Sequence, residues 1–316
     1  MDAIDRPATD HPHDWDVLVV GRSFAGLSAA LTLGRARRSV LVVGAGGPRN
    51  EAVAHAHGLL GHDHRDPSEL VRTAEEQLGR YPTVQLLQGR VTDLATTTDE
   101  PGFRATLDGH ATTARLVVLA TGVNDDPPAI PGLADRWGRG VYTCPFCDGW
   151  EHRDQPLAVV GDPAWIPHLA GMLRGGWSER VTAFAELAPE AADALRAQGV
   201  AVDPRQIARV EDADGGEHAG LRLVLADGEV VEAAATFVAA VPAANASLAT
   251  ALGAEVDEWG FLVTDEQRST TVPGLLAVGD VRTRMHQMAV AIADGATAGA
   301  MAASALLAAG VPPRRA

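Results

Sequence analysis

The hydrophobic pattern near the start of the chain predicts a strand, a turn and a helix, followed by a second strand. Trp15–Val20 is a short apolar run rich in Val, which is typical of a buried strand. Gly21 and Gly26 bracket a turn, and apolar residues with helical spacing occupy residues 27–34. A second apolar run covers residues 39–43. Strand, glycine turn, helix and strand within about thirty residues is the order of a dinucleotide-binding βαβ unit.

The glycine turn is suited to the pyrophosphate of a dinucleotide. Glycine lets the backbone approach the phosphates, and the N-terminus of the helix offers N–H groups to their charge. Ser23 stands at the second glycine position of the usual motif, and Gly44 stands where an acid would hold the ribose hydroxyls. An ordinary strand–helix turn is the alternative, because a single glycine motif often occurs without a nucleotide.

Two later strands end in short motifs of small residues. Residues 115–119 lead into Ala-Thr-Gly at 120–122, and residues 273–278 lead into Gly-Asp at 279–280. Between them, residues 156–161 begin a second strand–helix unit. This alternation predicts the α/β class, with two Rossmann-like domains of the three-layer ββα type that binds FAD or NAD(P).

The second domain is predicted to be inserted into the first. The chain crosses between the domains near residues 123–132 and 239–247, both rich in Pro, Ala or Asn, as linkers tend to be. The discontinuous first domain is predicted at residues 14–125 and 242–312. Residues 126–241 form the inserted domain, which carries both cysteines.

Composition and charge exclude several classes of function. The 316 residues suffice for two domains, and 46% hydrophobic with 21% charged residues is typical of a soluble globular protein. Acidic residues number 41 and basic residues 26, which gives a net charge of −15, opposite to that of a nucleic-acid binder. Every basic residue is Arg, so Schiff-base and P-loop lysines are excluded.

Neither a membrane span nor a signal peptide is predicted. The most apolar long stretch, residues 288–309, is mostly Ala and Gly and contains Asp294. Residues 1–14 carry four Asp and no apolar core, so we expect a frayed tail before the first strand. The protein is therefore predicted to be cytoplasmic.

The two cysteines, Cys144 and Cys147, are spaced for redox chemistry. In the cytoplasm such a pair is more often redox-active or metal-binding than a structural disulfide. One thiolate of a CxxC pair attacks while its neighbour resolves the mixed disulfide. Asp148 follows directly and is either a carboxylate for proton transfer or part of a plain Asp-Gly turn with Gly149.

Zinc is the alternative role for the cysteines. Two Cys are half of a site, and the four histidines His55, His57, His62 and His64 could complete it. Their spacing meets the usual metal-ligand pattern only loosely, and we predict no metal. The same histidines could instead act as bases near neutral pH or be solvated loop residues.

Taken in order, these motifs resemble the low-molecular-weight thioredoxin reductase family over nearly the whole chain. The matching segments are residues 20–26, 120–122, 144–148 and 278–280 and the helix from Gln287. Within that family, two further segments resemble the flavoprotein oxidases of natural-product dithiols, of the gliotoxin and holomycin type. They are Pro-Arg-Asn at 48–50 with His-Ala-His-Gly at 55–58, and the run from Cys144 to Glu151.

The resemblance implies FAD in the first domain, a CxxC pair facing its isoalloxazine ring, and a homodimer. It implies that Asp280 hydrogen-bonds the ribityl chain and that the helix from Gln287 begins beneath the pyrimidine edge of the flavin, where its N-terminus would stabilise negative charge. Because Gly44 breaks the match to the ribose acid, the adenosine contacts are predicted to come from elsewhere, with Arg49 and Asn50 as candidates. The full set of predicted FAD-binding residues is Gly21, Ser23, Phe24, Ala25, Gly26, Arg49, Asn50, His55, Val91, Ala120, Thr121, Gly122, Gly279, Asp280, Gln287, Met288 and Ala289.

The resemblance also implies the catalytic roles. Cys147 is expected to face the flavin, Cys144 to attack the substrate, and Asp148 to shuttle the thiol proton. His55 and His57 match a segment beside the flavin and are candidate bases.

The middle domain departs from the family at its nucleotide turn. Residues 161–168 contain one glycine, Asp162 would repel a pyrophosphate, and Pro163 lacks an N–H. After the next strand, Glu186 stands where arginine would hold a 2′-phosphate. We therefore expect that this domain keeps its fold and has lost NADPH.

Three functions are compatible with these features. The first is an FAD-dependent dithiol oxidase, which forms a disulfide in a small natural-product dithiol and passes the electrons to O2. The second is a disulfide reductase that receives its electrons from NADPH or from a protein such as ferredoxin. The third is a non-enzymatic redox-sensing or metal-binding flavoprotein. The degenerate nucleotide turn favours the first over the second, and the intact cysteine pair argues against the third.

Overall fold

The βαβ unit predicted at the start of the chain is confirmed. β1 (Trp15–Val20) and β2 (Val40–Gly44) are buried along their whole length and pair in parallel. α1 (Phe24–Arg35) connects them. It begins at Phe24, before the predicted start, because the small residues Ala25 and Gly26 form its first turn directly against the glycine turn.

The computed structural model describes residues 13–214 and 220–314, so residues 1–12 of the predicted N-terminal tail lie outside it. The chain divides into two units. Unit 1 holds the described residues up to Glu51, Pro67–Asn124 and the described residues from Ala243 onward. Unit 2 holds Ala52–Asp66 and Asp125–Pro242. The sequence-based boundaries had included residues 52–66 in the discontinuous domain, whereas their contacts group them with unit 2.

The remaining elements follow in chain order. They are α2 (Pro67–Leu78), β3 (Val84–Gln88), β4 (Val91–Thr96), β5 (Phe103–Leu107), β6 (His110–Leu119), β7 (Val123–Asn124), β8 (Val141–Tyr142), α3 (Pro145–Asp148), β9 (Leu157–Gly161), α4 (Ile166–Gly176), β10 (Val181–Phe184), α5 (Pro189–Ala197), β11 (Ala201–Asp203), β12 (Ile207–Asp212), β13 (Leu221–Leu225), β14 (Val230–Ala233), β15 (Ala235–Ala239), β16 (Ala243–Ala244), α6 (Ser247–Thr250), β17 (Leu275–Ala277) and α7 (Met288–Ala308). Short 3-10 helices cover Ala134–Arg136 and Gly279–Val281.

Unit 1 is built on a sheet with a parallel part and an antiparallel part. The parallel strands lie in the order β3, β2, β1, β6 and β17. The first half of β6 turns away to pair antiparallel with β5, which pairs with β4. Helices α1, α2 and α7 contribute to the apolar core on one face of the parallel strands, and β4, β5 and α6 to the core on the other. This is the predicted three-layer ββα arrangement.

Helix α7 is a core element of unit 1. Within the described residues it is the one helix long and apolar enough, by length and composition, to cross a membrane. Its small residues instead pack on α1, because a side chain at Gly295 would meet the backbone oxygen of Ala25 at 2.1 Å. Its buried Asp294 is also engaged in ion pairs within unit 1, as a core helix of a folded domain allows.

The Asp294 carboxylate anchors the chain segment after β17. It accepts hydrogen bonds from Arg268 Nε at 2.8 Å and Arg282 Nη1 at 2.7 Å. It also accepts the backbone N–H of Gly279 at 3.2 Å, which fixes the turn that carries Asp280. Asp294 is therefore a buried charge that is fully paired, and it holds part of the predicted cofactor site in place.

Replacing Asp294 by Ala is expected to destabilise unit 1 strongly. Two half-buried arginines would lose their partner, and breaking a buried ion pair by removing one member lowers the free energy of unfolding by about 3 kcal/mol. Thermal unfolding followed by circular dichroism should show a melting temperature lower by roughly 6–12 °C. Ser304→Ala, on an exposed position of the same helix, serves as the control and should leave the melting temperature unchanged. Equal melting temperatures for both variants would contradict the anchoring role.

Unit 2 contains a smaller parallel sheet with the order β11, β10, β9, β15 and β8. Helices α4 and α5 cover one face, and the antiparallel sheet of β12, β13 and β14 covers the other. β8 is an edge strand, and α3 with the cysteines follows its carboxyl end. The redox motif thus lies at the edge of a parallel sheet where α/β proteins commonly place functional residues.

Candidate active site

The turn between β1 and α1 has the geometry of an anion site. Gly21 has a φ of +122°, and a side chain there would lie 2.1 Å from the oxygen of Ala120. A side chain at Gly26 would lie 1.9 Å from the oxygen of Gly21. Ser23 precedes the helix, and its side chain caps no N–H of the first turn, which contains Phe24. Among the described residues these N–H groups therefore have no side-chain cap, and they suit a pyrophosphate.

The carboxyl ends of β6 and β17 supply the next predicted contacts. The hydroxyl of Thr121 donates to the backbone oxygen of Asn245 at 2.8 Å, which fixes the segment from Ala120 to Gly122. Asp280 follows β17 in the turn anchored by Asp294, and it accepts a hydrogen bond from Arg49 Nη1 at 3.3 Å. The arrangement brings Arg49 to the predicted ribityl-binding carboxylate, and its predicted contact to adenosine stays a prediction.

Asn50 lies at the start of α7. Its side-chain nitrogen is 3.6 Å from the sulfur of Met288. Gln287 is the N-cap of this 21-residue helix, and Met288 and Ala289 form its first turn. The positive end of the helix dipole therefore lies beside Asn50, which fits the proposed role of this region next to an electron-rich flavin edge. Val91, at the start of β4, is buried in the apolar core of unit 1.

The carboxyl end of β2 holds a charged pair that the sequence did not predict. Gly44 offers no acid, and the space above it is occupied by Arg22 of the glycine turn. Arg22 pairs with Glu75 of α2, with Nε 2.5 Å from Oε1, and its Nη1 lies 3.4 Å from Gln88 Oε1. Sequence reasoning missed this group, because the pairing joins residues from three separated elements.

The cysteine pair begins helix α3. Cys144 is its N-cap in an extended conformation, and Pro145 occupies the first helical position, where its missing N–H is not needed. The backbone N–H groups of Cys147 and Asp148 donate to the oxygen of Cys144 at 3.1 and 3.2 Å. Both thiols are half-buried. Their spacing and partial exposure are those of a pair that can take part in thiol–disulfide exchange.

Asp148 has the most perturbed carboxyl group of this region. Burial raises its pKa to about 8, and the neighbouring Cys144 and Glu151 add to the rise. The carboxyl is therefore protonated near neutral pH and titrates in the range where thiols exchange protons. Such a group beside Cys144 fits general acid–base catalysis better than a plain turn residue.

The two remaining predicted catalytic residues, His55 and His57, lie in a histidine-rich loop of unit 2. The loop is closed where the N–H of Ala56 donates to the oxygen of Arg65 at 2.7 Å. The ring of His55 stacks on that of His64 with centroids 4.1 Å apart, and His57 lies 5.2 Å from the same ring. His55 is exposed, whereas His57 is half-buried.

His57 joins this loop to the cysteine motif through Glu151. Its Nε2 lies 3.6 Å from Glu151 Oε1, and its Nδ1 lies 3.7 Å from Asp63 Oδ1. Glu151 also raises the pKa of Asp148, as Cys144 does. A connected series of titratable groups therefore runs from Cys144 through Asp148 and Glu151 to His57 in the loop. Glu151 ends the matching segment that begins at Cys144, but the sequence did not indicate it as a site residue. Only the folded loop, distant in sequence, reveals its contact with His57.

The zinc alternative finds no support in this geometry. Within residues 13–214 and 220–314, no group of three or more His, Cys, Asp or Glu side chains is arranged to hold a metal ion. His55 and His64 stack face to face, which does not point their nitrogens at a common centre.

In the second glycine turn, after β9, the side chain of Asp162 accepts a backbone N–H of the same turn. Asp162 Oδ1 accepts the N–H of Ala164 at 2.8 Å, and its backbone oxygen accepts the N–H groups of Trp165 and Ile166. Pro163 contributes no N–H. The N–H groups that a phosphate would need are thus satisfied by a carboxylate and a backbone oxygen of the same turn.

Comparison with known proteins identifies the family. Residues 15–295 match the family described as pyridine nucleotide-disulphide oxidoreductase. The chain belongs to this family. Among curated relatives, thioredoxin reductase tcpT of Claviceps purpurea is 34% identical over 308 residues, which is 93% of this chain and 94% of that protein. A probable thioredoxin reductase of Arthroderma benhamiae is 40% identical over 163 residues, which is 50% of this chain and only 40% of that protein.

Among solved structures, the crystal structure of HlmI superposes with a TM-score of 0.88 at 35% identity, covering 94% of each chain. The predicted fold class and the likeness to thioredoxin reductase-like flavoproteins are confirmed. The protein is an FAD-dependent disulfide oxidoreductase. The narrow Gly21 turn, the N-terminus of α1 and the carboxylate of Asp280 fit this cofactor in the described residues of unit 1.

Proposed function

We propose that the protein oxidises a small-molecule dithiol to its cyclic disulfide through Cys144 and Cys147, with O2 as the final electron acceptor. The natural-product class of substrate, a cytoplasmic location and a homodimeric state belong to the same proposal. The self-closed turn after β9 is the observation that carries it, because an oxidase needs no pyridine nucleotide.

Two further features of unit 2 support the loss of NADPH. A cavity of about 430 Å3 at the ends of β9 and β15 is lined by Asp126 and Asp162 together with prolines, and it lacks a basic side chain. Negative charge in this position opposes a pyrophosphate. After β10, Glu186 replaces the arginine that a 2′-phosphate would require, and Arg205 is held by three carboxylates.

The reaction balances as a two-electron oxidation. A substrate thiolate attacks the Cys144 sulfur of the enzyme disulfide, and the bond to Cys147 breaks. The second substrate thiol attacks the sulfur joined to Cys144, which forms the product disulfide and releases Cys144. Bound FAD would supply the two-electron oxidation that returns Cys144 and Cys147 to the disulfide, with O2 as the final acceptor and hydrogen peroxide as its product.

Protons leave and return through the residues around the cysteines. Asp148, with its raised pKa, takes a proton from an attacking thiol when ionised and supplies one to the departing sulfur when neutral. Glu151 and His57 extend from Asp148 to the histidine-rich loop, with His57 Nε2 3.6 Å from Glu151 Oε1. We therefore assign Asp148 the acid–base role and Glu151 a positioning role towards His57.

A dithiol is required because release depends on a second thiol already tethered to the first. A tethered thiol has a high effective concentration, whereas a monothiol must bind a second molecule to complete the exchange. With dithiothreitol as the probe, the purified protein should consume one O2 and form one H2O2 per disulfide, without any pyridine nucleotide. At equal thiol concentration, 2-mercaptoethanol should turn over far more slowly.

The alternative is a disulfide reductase that draws electrons from NADPH or ferredoxin. The names of its relatives, which include thioredoxin reductases, favour this function. An electrode trace that shows no O2 uptake with dithiothreitol, combined with NADPH-dependent reduction of a disulfide, would establish the reductase instead.

A further inference from the structure

The end of β2 holds a charged pair that neither the family fold nor the reaction requires. In a dinucleotide-binding βαβ unit, the second strand commonly ends in an acid that binds the adenosine ribose. Here Gly44 ends the strand, and a side chain at this position would lie 2.3 Å from Cβ of Arg22. Arg22 thus occupies the space that the acid would have taken.

Arg22 forms an ion pair with a carboxylate of helix α2. Its Nε donates to Oε1 of Glu75 in the last turns of α2, and both side chains are about one-fifth exposed. Gln88, at the end of β3, accepts a further, longer hydrogen bond from Arg22. The acid missing from β2 is therefore present at the same end of the sheet, supplied by α2 and oriented by the glycine turn.

The second oxygen of Glu75 is available to a ligand. Among the described residues no hydrogen bond reaches Oε2, while Oε1 is fixed by Arg22. A carboxylate accepts hydrogen bonds and ribose hydroxyls donate them, as at the acid of the usual βαβ unit. Arg49 and Asn50, the candidates from the sequence, contact Asp280 and Met288, whereas Glu75 lies at the end of β2 beside Arg22.

We propose that Glu75, held in place by Arg22, binds the ribose hydroxyls of the adenosine half of FAD in this protein. Gly44 is then part of the same arrangement, since any side chain there would displace Arg22. The proposal concerns the cofactor alone and does not depend on the identity of the dithiol or of the electron acceptor.

Flavin binding to the apoprotein tests this assignment. Glu75→Ala should raise the dissociation constant of FAD by about tenfold or more, since hydrogen bonds to a charged group are lost. The dissociation constant of FMN, which lacks adenosine, should not change. Glu76→Ala removes a neighbouring, exposed carboxylate that pairs with Arg72 and should affect neither ligand. Quenching of flavin fluorescence measures both constants, and the melting temperature of each apoprotein shows whether it is folded.

A rescue and a ligand series complete the test. Adding Arg22→Gly and Gly44→Asp to the Glu75→Ala chain removes the Cβ that blocks position 44 and restores an acid at the end of β2, so FAD affinity should return. On the unaltered apoprotein, ADP should displace FAD at least about tenfold more effectively than 2′,3′-dideoxy-ADP. Equal competition by the two nucleotides, or equal weakening of FAD and FMN in Glu75→Ala, would overturn the assignment.

Discussion

Replacing Cys147 by Ser is expected to abolish reduction of FAD by a dithiol and all turnover with it. Without Cys147 no enzyme disulfide exists, so a substrate thiolate has no sulfur–sulfur bond to attack. Cys144→Ser should be equally inactive in turnover. It keeps the Cys147 thiol, which in this account faces the flavin, so its visible absorption spectrum should differ from that of Cys147→Ser.

Anaerobic titration with dithiothreitol measures this effect directly, since bleaching of the flavin reports electron transfer. Thr143→Ser, next to the motif, tests whether a small change in this segment is harmful by itself and should reduce normally. If both cysteine variants kept full oxidase activity, the cysteines would be bystanders and the flavin would oxidise something other than a dithiol.

Asp148→Asn should retain FAD and slow turnover by about a hundredfold or more, the usual contribution of a general acid–base group. The amide keeps the size of the side chain and removes only its ability to exchange a proton. The unaltered enzyme should show a turnover rate that depends on a group with a pKa of about 8, and this dependence should be absent from the variant.

The same substitution should raise thermal stability in a pH-dependent way. The carboxyl of Asp148 has a pKa of about 8 when folded, raised by burial, and an ordinary pKa of about 4 when unfolded. Between these values the folded chain binds one more proton than the unfolded chain, so stability falls as pH rises. The amide of the Asp148→Asn variant does not ionise, so the variant does not undergo this loss. The melting temperature of the variant should therefore equal that of the parent near pH 4 and exceed it by a growing margin up to pH 8.

The melting temperatures of the parent and of Asp148→Asn, measured from pH 4 to 9, show whether Asp148 is a titrating buried carboxyl or a plain turn residue. A plain Asp-Gly turn predicts a stability difference that does not vary with pH, together with normal turnover. Glu151→Gln is the companion variant, since it leaves Asp148 in place. It should lower the pKa seen in the turnover profile, because Glu151 adds to the rise at Asp148.

The local patterns along the chain were sufficient to predict the fold. β1, β2 and the strands before residues 120–122 and 279–280 are continuous apolar runs, and burial on both faces requires such runs in parallel sheets. The glycine turn was equally predictable, because only glycine fits where Gly21 approaches Ala120. The cysteine motif needs no tertiary information, since its residues are consecutive.

The charged partners could not be predicted, because they meet only through the fold. Arg22 and Glu75 are separated by 53 positions, and His57 reaches Glu151 from a loop assigned by sequence to the other domain. A polar side chain carries no periodic pattern along the sequence that would indicate its partner. The hydrogen bond between Arg49 and Asp280 is a further example, since these two residues are separated by 231 positions.

In the proposed function, electrons enter the protein from a dithiol and not from a pyridine nucleotide. The most direct measurement is the absorbance of the FAD in the purified protein under anaerobic conditions, after addition of dithiothreitol or of NADPH. Dithiothreitol is expected to bleach the flavin, NADPH and NADH are not, and admitting O2 should restore the colour with release of H2O2. Rapid bleaching by a low concentration of NADPH would contradict the proposed function.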